Sequence, residues 1–209
     1  LQSPKAGPVS YRLFEMLPMM PRFAVEHARQ RLETTFPTAS AAVKPVACEL
    51  GGKNAFIVMP DADMKAAVEG AIWGGFFNSG QNCGASSRYL IHEAVYDEFA
   101  EKFVAAAKLL RVGDPLNPET MVGPVAYKGH RDNIERFVER AQRSGAKLLL
   151  GGERPNTPET KDGCFVAPTI FGDCDPKSEI MQEEVFGPLA LIISADSDEE
   201  MLTIAKAFE

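Results

Sequence analysis

Cysteine is scarce and unpaired in this sequence. The four residues, at 48, 83, 164 and 174, form no CxxC pair, and their spacing matches neither a disulfide framework nor a zinc site. Reduced thiols are expected, and with them a reducing compartment, taken as cytoplasmic. Histidine is also sparse: His27, His92 and His130 are scattered, are expected on surfaces or at element ends, and suggest no metal. Long apolar runs are missing. The stretch from Leu13 to Met20 is broken by Glu15 and Pro18 and is too short to span a bilayer, and Leu1 to Pro8 lacks a charged-then-apolar leader pattern. A basic surplus is missing too. The formal net charge of −7 argues against nucleic-acid and anionic-membrane partners, while leaving room for an anionic ligand in a local pocket. There is no internal repeat and no Met at position 1, the latter as expected of a cleavage product or a fragment.

What is present suits a soluble α/β protein. Hydrophobic residues make up 45% of 209 positions, enough for one sizeable core. Residues 1–43 stand apart. Proline recurs at 4, 8, 18, 21 and 37, and the only helical candidate, Arg22 to Glu33, is weakly amphipathic. This segment is expected to be partly extended or disordered. From Val43 onward strands and helices alternate. Strands are predicted at Pro45–Leu50, Ala55–Met59, Arg88–His92, Lys147–Leu150 and Leu189–Ser194, with an extended piece at Phe165–Phe171. Helices are predicted at Met64–Phe77, capped by Asp61, and at Ala94–Leu110, Tyr127–Ser144 and Asp198–Phe208. Such alternation implies a mostly parallel open sheet with helices on both faces.

Three stretches carry chemistry. In Gly80-Gln81-Asn82-Cys83-Gly84 a cysteine sits among glycines and amides rather than apolar neighbours. From these residues alone it is either an accessible nucleophile or a buried structural thiol. In Glu49-Leu50-Gly51-Gly52-Lys53 an acid ends an apolar strand, where open α/β sheets bind ligands. It reads either as a general base or as a carboxylate paired with Lys53. In Glu183-Glu184-Val185-Phe186-Gly187-Pro188 an acid and an aromatic could take a sugar hydroxyl and a flat ring, or Phe186 could simply anchor the loop to the core.

In this order and at these separations, the three stretches resemble the aldehyde dehydrogenase superfamily. The runs Val122-Gly123-Pro124, Gly145-Ala146-Lys147 and Val166-Ala167-Pro168-Thr169 resemble it as well. The likeness covers about 43–209. It implies the catalytic-domain fold over 44–209 and oxidation of a small-molecule aldehyde to a carboxylic acid with NAD or NADP, through a thioester on Cys83. By the same resemblance Glu49 activates the hydrolytic water, and Glu184, Phe186 and the main chain of Leu50 contact the nicotinamide half of the cofactor. Phe77, Asn82 and Gly84 shape the substrate pocket, and a homo-oligomer is the implied assembly.

The 48 residues ahead of Glu49 contain no Gly-rich strand-to-helix turn and no Pro-Trp-Asn segment, and the sequence stops within a predicted helix. The expectation is therefore a catalytic domain, incomplete at its C-terminal end and lacking its cofactor domain, with weak or no activity alone. Two alternatives stand beside it: a non-catalytic homologue acting as a folded interaction domain, and a residual thiol esterase.

Overall fold

The computed structural model describes residues 52–207, which lie in a compact unit spanning Gly51–Glu209. The expectations for residues 1–43, the strand Pro45–Leu50, and the roles of Glu49 and Leu50 fall outside the described residues. The elements in chain order are β1 (Asn54–Val58), α1 (Met64–Phe76), β2 (Ser86–His92), α2 (Glu93–Ala107), α3 (Lys128–Arg143), β3 (Lys147–Leu150), β4 (Thr169–Gly172), β5 (Leu189–Ala195) and α4 (Asp198–Lys206). The sheet order is β1-β2-β5-β4-β3. The first four strands in that order run parallel, and β3 closes one edge antiparallel to β4.

Side chains on a strand alternate between faces, and the core divides accordingly. Tyr89 and Ile91 of β2, Ile170 of β4, and Ala190 and Ile192 of β5 share one cluster with Val68 and Ala71 of α1 and Phe99 and Phe103 of α2. Leu90, Phe171, Leu191 and Ile193 join the other cluster, with Phe137, Val138 and Ala141 of α3 and Met201 and Ile204 of α4. Helices therefore cover both faces, which is why the central strands read as nearly continuous apolar runs. The positions Phe99, Phe103 and Ala107, and Ile134, Phe137, Val138 and Ala141, are buried at helical spacing as their periodicity predicts.

Several boundaries differ from expectation. Asp63, not Asp61, caps α1: its side chain accepts the Ala66 amide at 3.1 Å. An N-cap side chain reaches the amide two or three positions on, so Asp61 is too far from the first turn. Helix α1 also ends at Phe76 rather than Phe77. The chain continues as a 3₁₀ turn, Phe77–Gly80, in which Asn78 and Ser79 adopt φ of 50° and 58°. Toward the other end, Phe165–Phe171 forms regular strand only from Thr169.

Arg88, at the start of the apolar part of β2, is buried and ties three segments together. It donates to Lys53 O at 2.9 Å and to Ile204 O and Ala205 O at 3.1 Å each. The last two are carbonyls of the final turn of α4, where a cation also complements the helix dipole. Replacing Arg88 with Met removes these charge-assisted bonds and strands buried acceptors. The expected loss is about 3 kcal/mol of stability in urea unfolding; an unmoved midpoint would show that water satisfies these carbonyls.

Candidate active site

The cysteine loop is built by the way α1 ends. Left-handed Asn78 and Ser79 turn the chain back, and the next residue, Gly80, has φ of 69°. The turn is pinned by its own amides: the Asn78 side chain donates to Gln81 O at 2.9 Å, and Gln81 N donates to Asn78 O at 3.1 Å. It is also fastened to the 122–126 segment. Ser79 Oγ donates to Gly123 O at 2.9 Å, and Gln81 Oε1 accepts the Ala126 amide at 2.8 Å. At Gly80 the backbone runs against the Gly187–Pro188 peptide, so closely that a β-carbon there would lie 2.1 Å from Gly187 O. Only glycine satisfies both that spacing and that φ.

Cys83 is exposed at the tip of this loop. Its carbonyl accepts from Asn54 Nδ2 at 2.6 Å, and the same amide donates to Ala85 O at 3.1 Å, so the first residue of β1 holds the far side of the loop. Asn82 Oδ1 accepts the Gly84 amide at 2.9 Å and faces Cys83 Sγ at 3.7 Å. Among the hydrogen bonds of the described residues none uses the Cys83 N–H, which leaves that donor open beside the thiol. Of the two readings of this cysteine, the structural buried thiol fits Cys174, which is buried in the core; burial pushes that thiol up to about 12.

The segment that leads into Gly187 faces an open cavity of about 670 Å³. Glu184, Val185 and Phe186 line it, together with His130, Phe137 and Arg140 of α3. Phe186 is 40% exposed with φ of 55°, so it is not the core anchor; Val185 packs into the core instead. A bulky residue in the left-handed region costs of order 1–3 kcal/mol and must be held there. The Phe186 carbonyl takes a 2.7 Å bond from His130 Nε2, and because a carbonyl can only accept, that nitrogen carries the proton. Arg140 neutralises Glu179 and Glu183. Glu184 makes no hydrogen bond or ion pair among the described residues, so both its oxygens are available.

The structure thus brings Ser79–Gln81 against Gly123 and Ala126 on one side and Gly187–Pro188 on the other. Phe77, Asn82 and Gly84 lie on the cysteine loop or at its entrance. Two residues escaped the sequence reading. His130 looked like a surface histidine at a helix end; only the tertiary contact with Phe186 assigns it to the cavity. Trp73 precedes Phe77 by four positions on α1, a spacing that places side chains on one face. The two rings stack at 4.9 Å and 18°, and both are largely exposed, 65% and 50%.

Lys53 is buried. Desolvation, reinforced by Arg88 and opposed by Glu183 and Glu184, lowers its pKa from 10.5 to about 8. Among the described residues no group capable of holding a metal ion was found, and no helix is long and apolar enough to cross a membrane.

The aldehyde dehydrogenase family model matches residues 33–209. Betaine aldehyde dehydrogenase of Bacillus subtilis (strain 168) is 44% identical over 167 residues, 80% of this chain and 34% of that protein. The NADP-named succinate-semialdehyde dehydrogenase of Mycobacterium leprae (strain TN) is 44% identical over 165 residues, 79% of this chain and 35% of that protein. A solved structure of Staphylococcus aureus betaine aldehyde dehydrogenase in complex with NAD+ superposes with a TM-score of 0.82 at 35% identity, covering 86% of this chain and 36% of that one. The chain belongs to the aldehyde dehydrogenase family, and it spans about a third of the length of these relatives.

Two outcomes test this geometry. Gly80→Ala should lower the melting temperature and slow alkylation of Cys83, because the added carbon displaces the Gly187 peptide; a wild-type melting curve would mean that the contact is loose. Lys53→Met should be more stable than wild type at pH 7. Between about pH 8 and 10.5 the unfolded lysine holds a proton that the folded one has released, so wild-type stability rises with pH relative to the variant. The gap should close by about 3 kcal/mol over that window; a constant gap would show that Lys53 is solvated.

Proposed function

We propose that this chain carries the nucleophile and the nicotinamide-side cofactor contacts of an NAD(P)-dependent aldehyde dehydrogenase. The observation that carries this reading is the seating of the Cys83 loop, through Gly80, on the Gly187 peptide beside Glu184 and Phe186. On this proposal the thiol and the cavity serve one substrate.

In this reading the Cys83 thiolate adds to the aldehyde carbon, and its own backbone N–H donates to the oxygen that becomes negative. The carbonyl then re-forms as hydride leaves the carbon, giving a thioester. Bound NAD or NADP supplies the hydride acceptor. Glu184 fits a ribose hydroxyl pair, since its carboxylate is unpartnered and lines the cavity, and the exposed Phe186 ring fits a flat ring. Glu49 takes a proton from water as that water attacks the thioester, releasing the carboxylic acid and the thiolate; general-base help of this kind is worth about 10²–10⁴-fold. Phe77 and Trp73 offer an aromatic wall to the aldehyde, with Asn82 and Gly84 flanking the sulfur. A soluble, cytoplasmic setting and assembly with further copies are part of the same proposal.

Cys83→Ser should abolish labelling at the fastest-reacting thiol by an iodoacetamide reagent, and should also abolish hydrolysis of an activated ester if the chain retains esterase activity. Equal labelling in the variant would remove Cys83 from the role. Glu49→Gln should leave acylation intact and slow release of the acyl group by about 100-fold or more; an unchanged release rate would assign the base elsewhere.

A further inference from the structure

Lys53 is the member of the Glu49-Leu50-Gly51-Gly52-Lys53 stretch that the proposed chemistry leaves without a task. Its side chain is 3% exposed, and its Nζ meets no hydrogen-bond acceptor among the described residues. A fold that required only packing would be better served by an apolar side chain of similar length, because a desolvated ammonium without acceptors is costly. Its surroundings suggest what the charge does. Nζ lies 5.5 Å from the centroid of Phe137, a ring that lines the cavity, and desolvated cation–ring contacts are favourable. The Arg140 guanidinium lies over the same ring at 5.4 Å and binds Glu179 and Glu183. Glu183 and Glu184 both act on Lys53 by charge, and the other charged or titratable groups facing it are Arg88 of β2 and Cys174. Arg140, on the cavity wall, is already committed to Glu179 and Glu183, while Lys53 lies buried behind the Phe137 ring of that wall.

We propose that Lys53 is a positioning residue for the candidate ribose site: its buried ammonium, resting on Phe137, supplies the second positive charge that keeps Glu184 at the cavity wall. The inference rests on the ribose reading of Glu184. Lys53 itself touches neither substrate nor cofactor; it acts through the 183–184 turn.

The test is NAD binding followed by NMR titration on the full 209-residue chain, which reads weak affinities, with wild type, Lys53→Met, Lys53→Arg and Glu184→Gln compared at pH 7 and pH 9. Lys53→Met and Glu184→Gln are each expected to weaken binding at least ten-fold at pH 7, while the melting temperature of Lys53→Met does not fall. Lys53→Arg, whose guanidinium stays charged, should keep at both pH values the affinity that wild type shows at pH 7. Wild type should lose affinity between pH 7 and 9 as the ammonium releases its proton. Binding weakened by Glu184→Gln but untouched by Lys53→Met overturns the positioning role and spares the ribose reading. Binding indifferent to Glu184→Gln, or no binding at all, overturns the ribose reading and the role of Lys53 with it. Should Lys53→Met fail to fold, the wild-type pH comparison decides alone, a flat profile overturning the proposal.

Discussion

The approach of Gly80 to the Gly187–Pro188 peptide is the constraint on which the arrangement depends. Two loops from distant parts of the sequence meet backbone to backbone, with no side chain between them. Each brings its own residues to the junction: Asn82 and Cys83 from one side, Glu184 and Phe186 from the other. A side chain at position 80 would force the peptides apart and shift the cysteine loop with them. Of the four non-glycine residues with positive φ among the described residues, all but Asp173 flank this contact. Asn78, Ser79 and Phe186 all have positive φ, and Ser79 and Phe186 are held by specific bonds to Gly123 and from His130. Strain retained in this way is affordable only where surrounding structure determines the conformation.

The sheet explains why these loops can be so unusual. Four parallel strands with helices on both faces form a rigid base, and the cysteine loop enters β2 while the Glu184–Pro188 segment enters β5. Those two strands are paired neighbours, with Arg88 opposite Leu191. Strand pairing therefore fixes the spacing of the two functional loops before any contact between them is made. Arg88 extends the same logic outward, tying the start of β1 and the end of α4 to the strand that follows Cys83.

Charge is distributed unevenly between the two sides of the junction. The cysteine side is made of amides, glycines and backbone donors, suited to holding a polar adduct without a fixed ion. The cavity side carries carboxylates and guanidinium groups, of which Glu183 is paired and Glu184 is not. That difference between adjacent acids is what makes the second of them the candidate ligand for a sugar. Membership of the aldehyde dehydrogenase family is consistent with such a division, and the chain spans about a third of the length of the relatives it matches.

Much of this was legible in the sequence. Periodicity alone placed the helices around Phe99, Phe103, Phe137 and Ala141, and strand–helix alternation implied the parallel sheet, because both follow from local geometry and the need to bury one face. For Cys83 and Phe186 the residues alone left a functional and a structural reading open, and the family resemblance rather than local pattern singled them out with Glu184. What tertiary structure alone decided was which groups face one another. Nothing near His130 in the sequence links it to Phe186, 56 positions away. Nothing local distinguishes paired Glu183 from unpaired Glu184, since the difference is the reach of Arg140 from another helix. The burial of Lys53 was equally hidden: the sequence offered it only as a possible partner of Glu49, and its seat against the Phe137 ring is a tertiary contact.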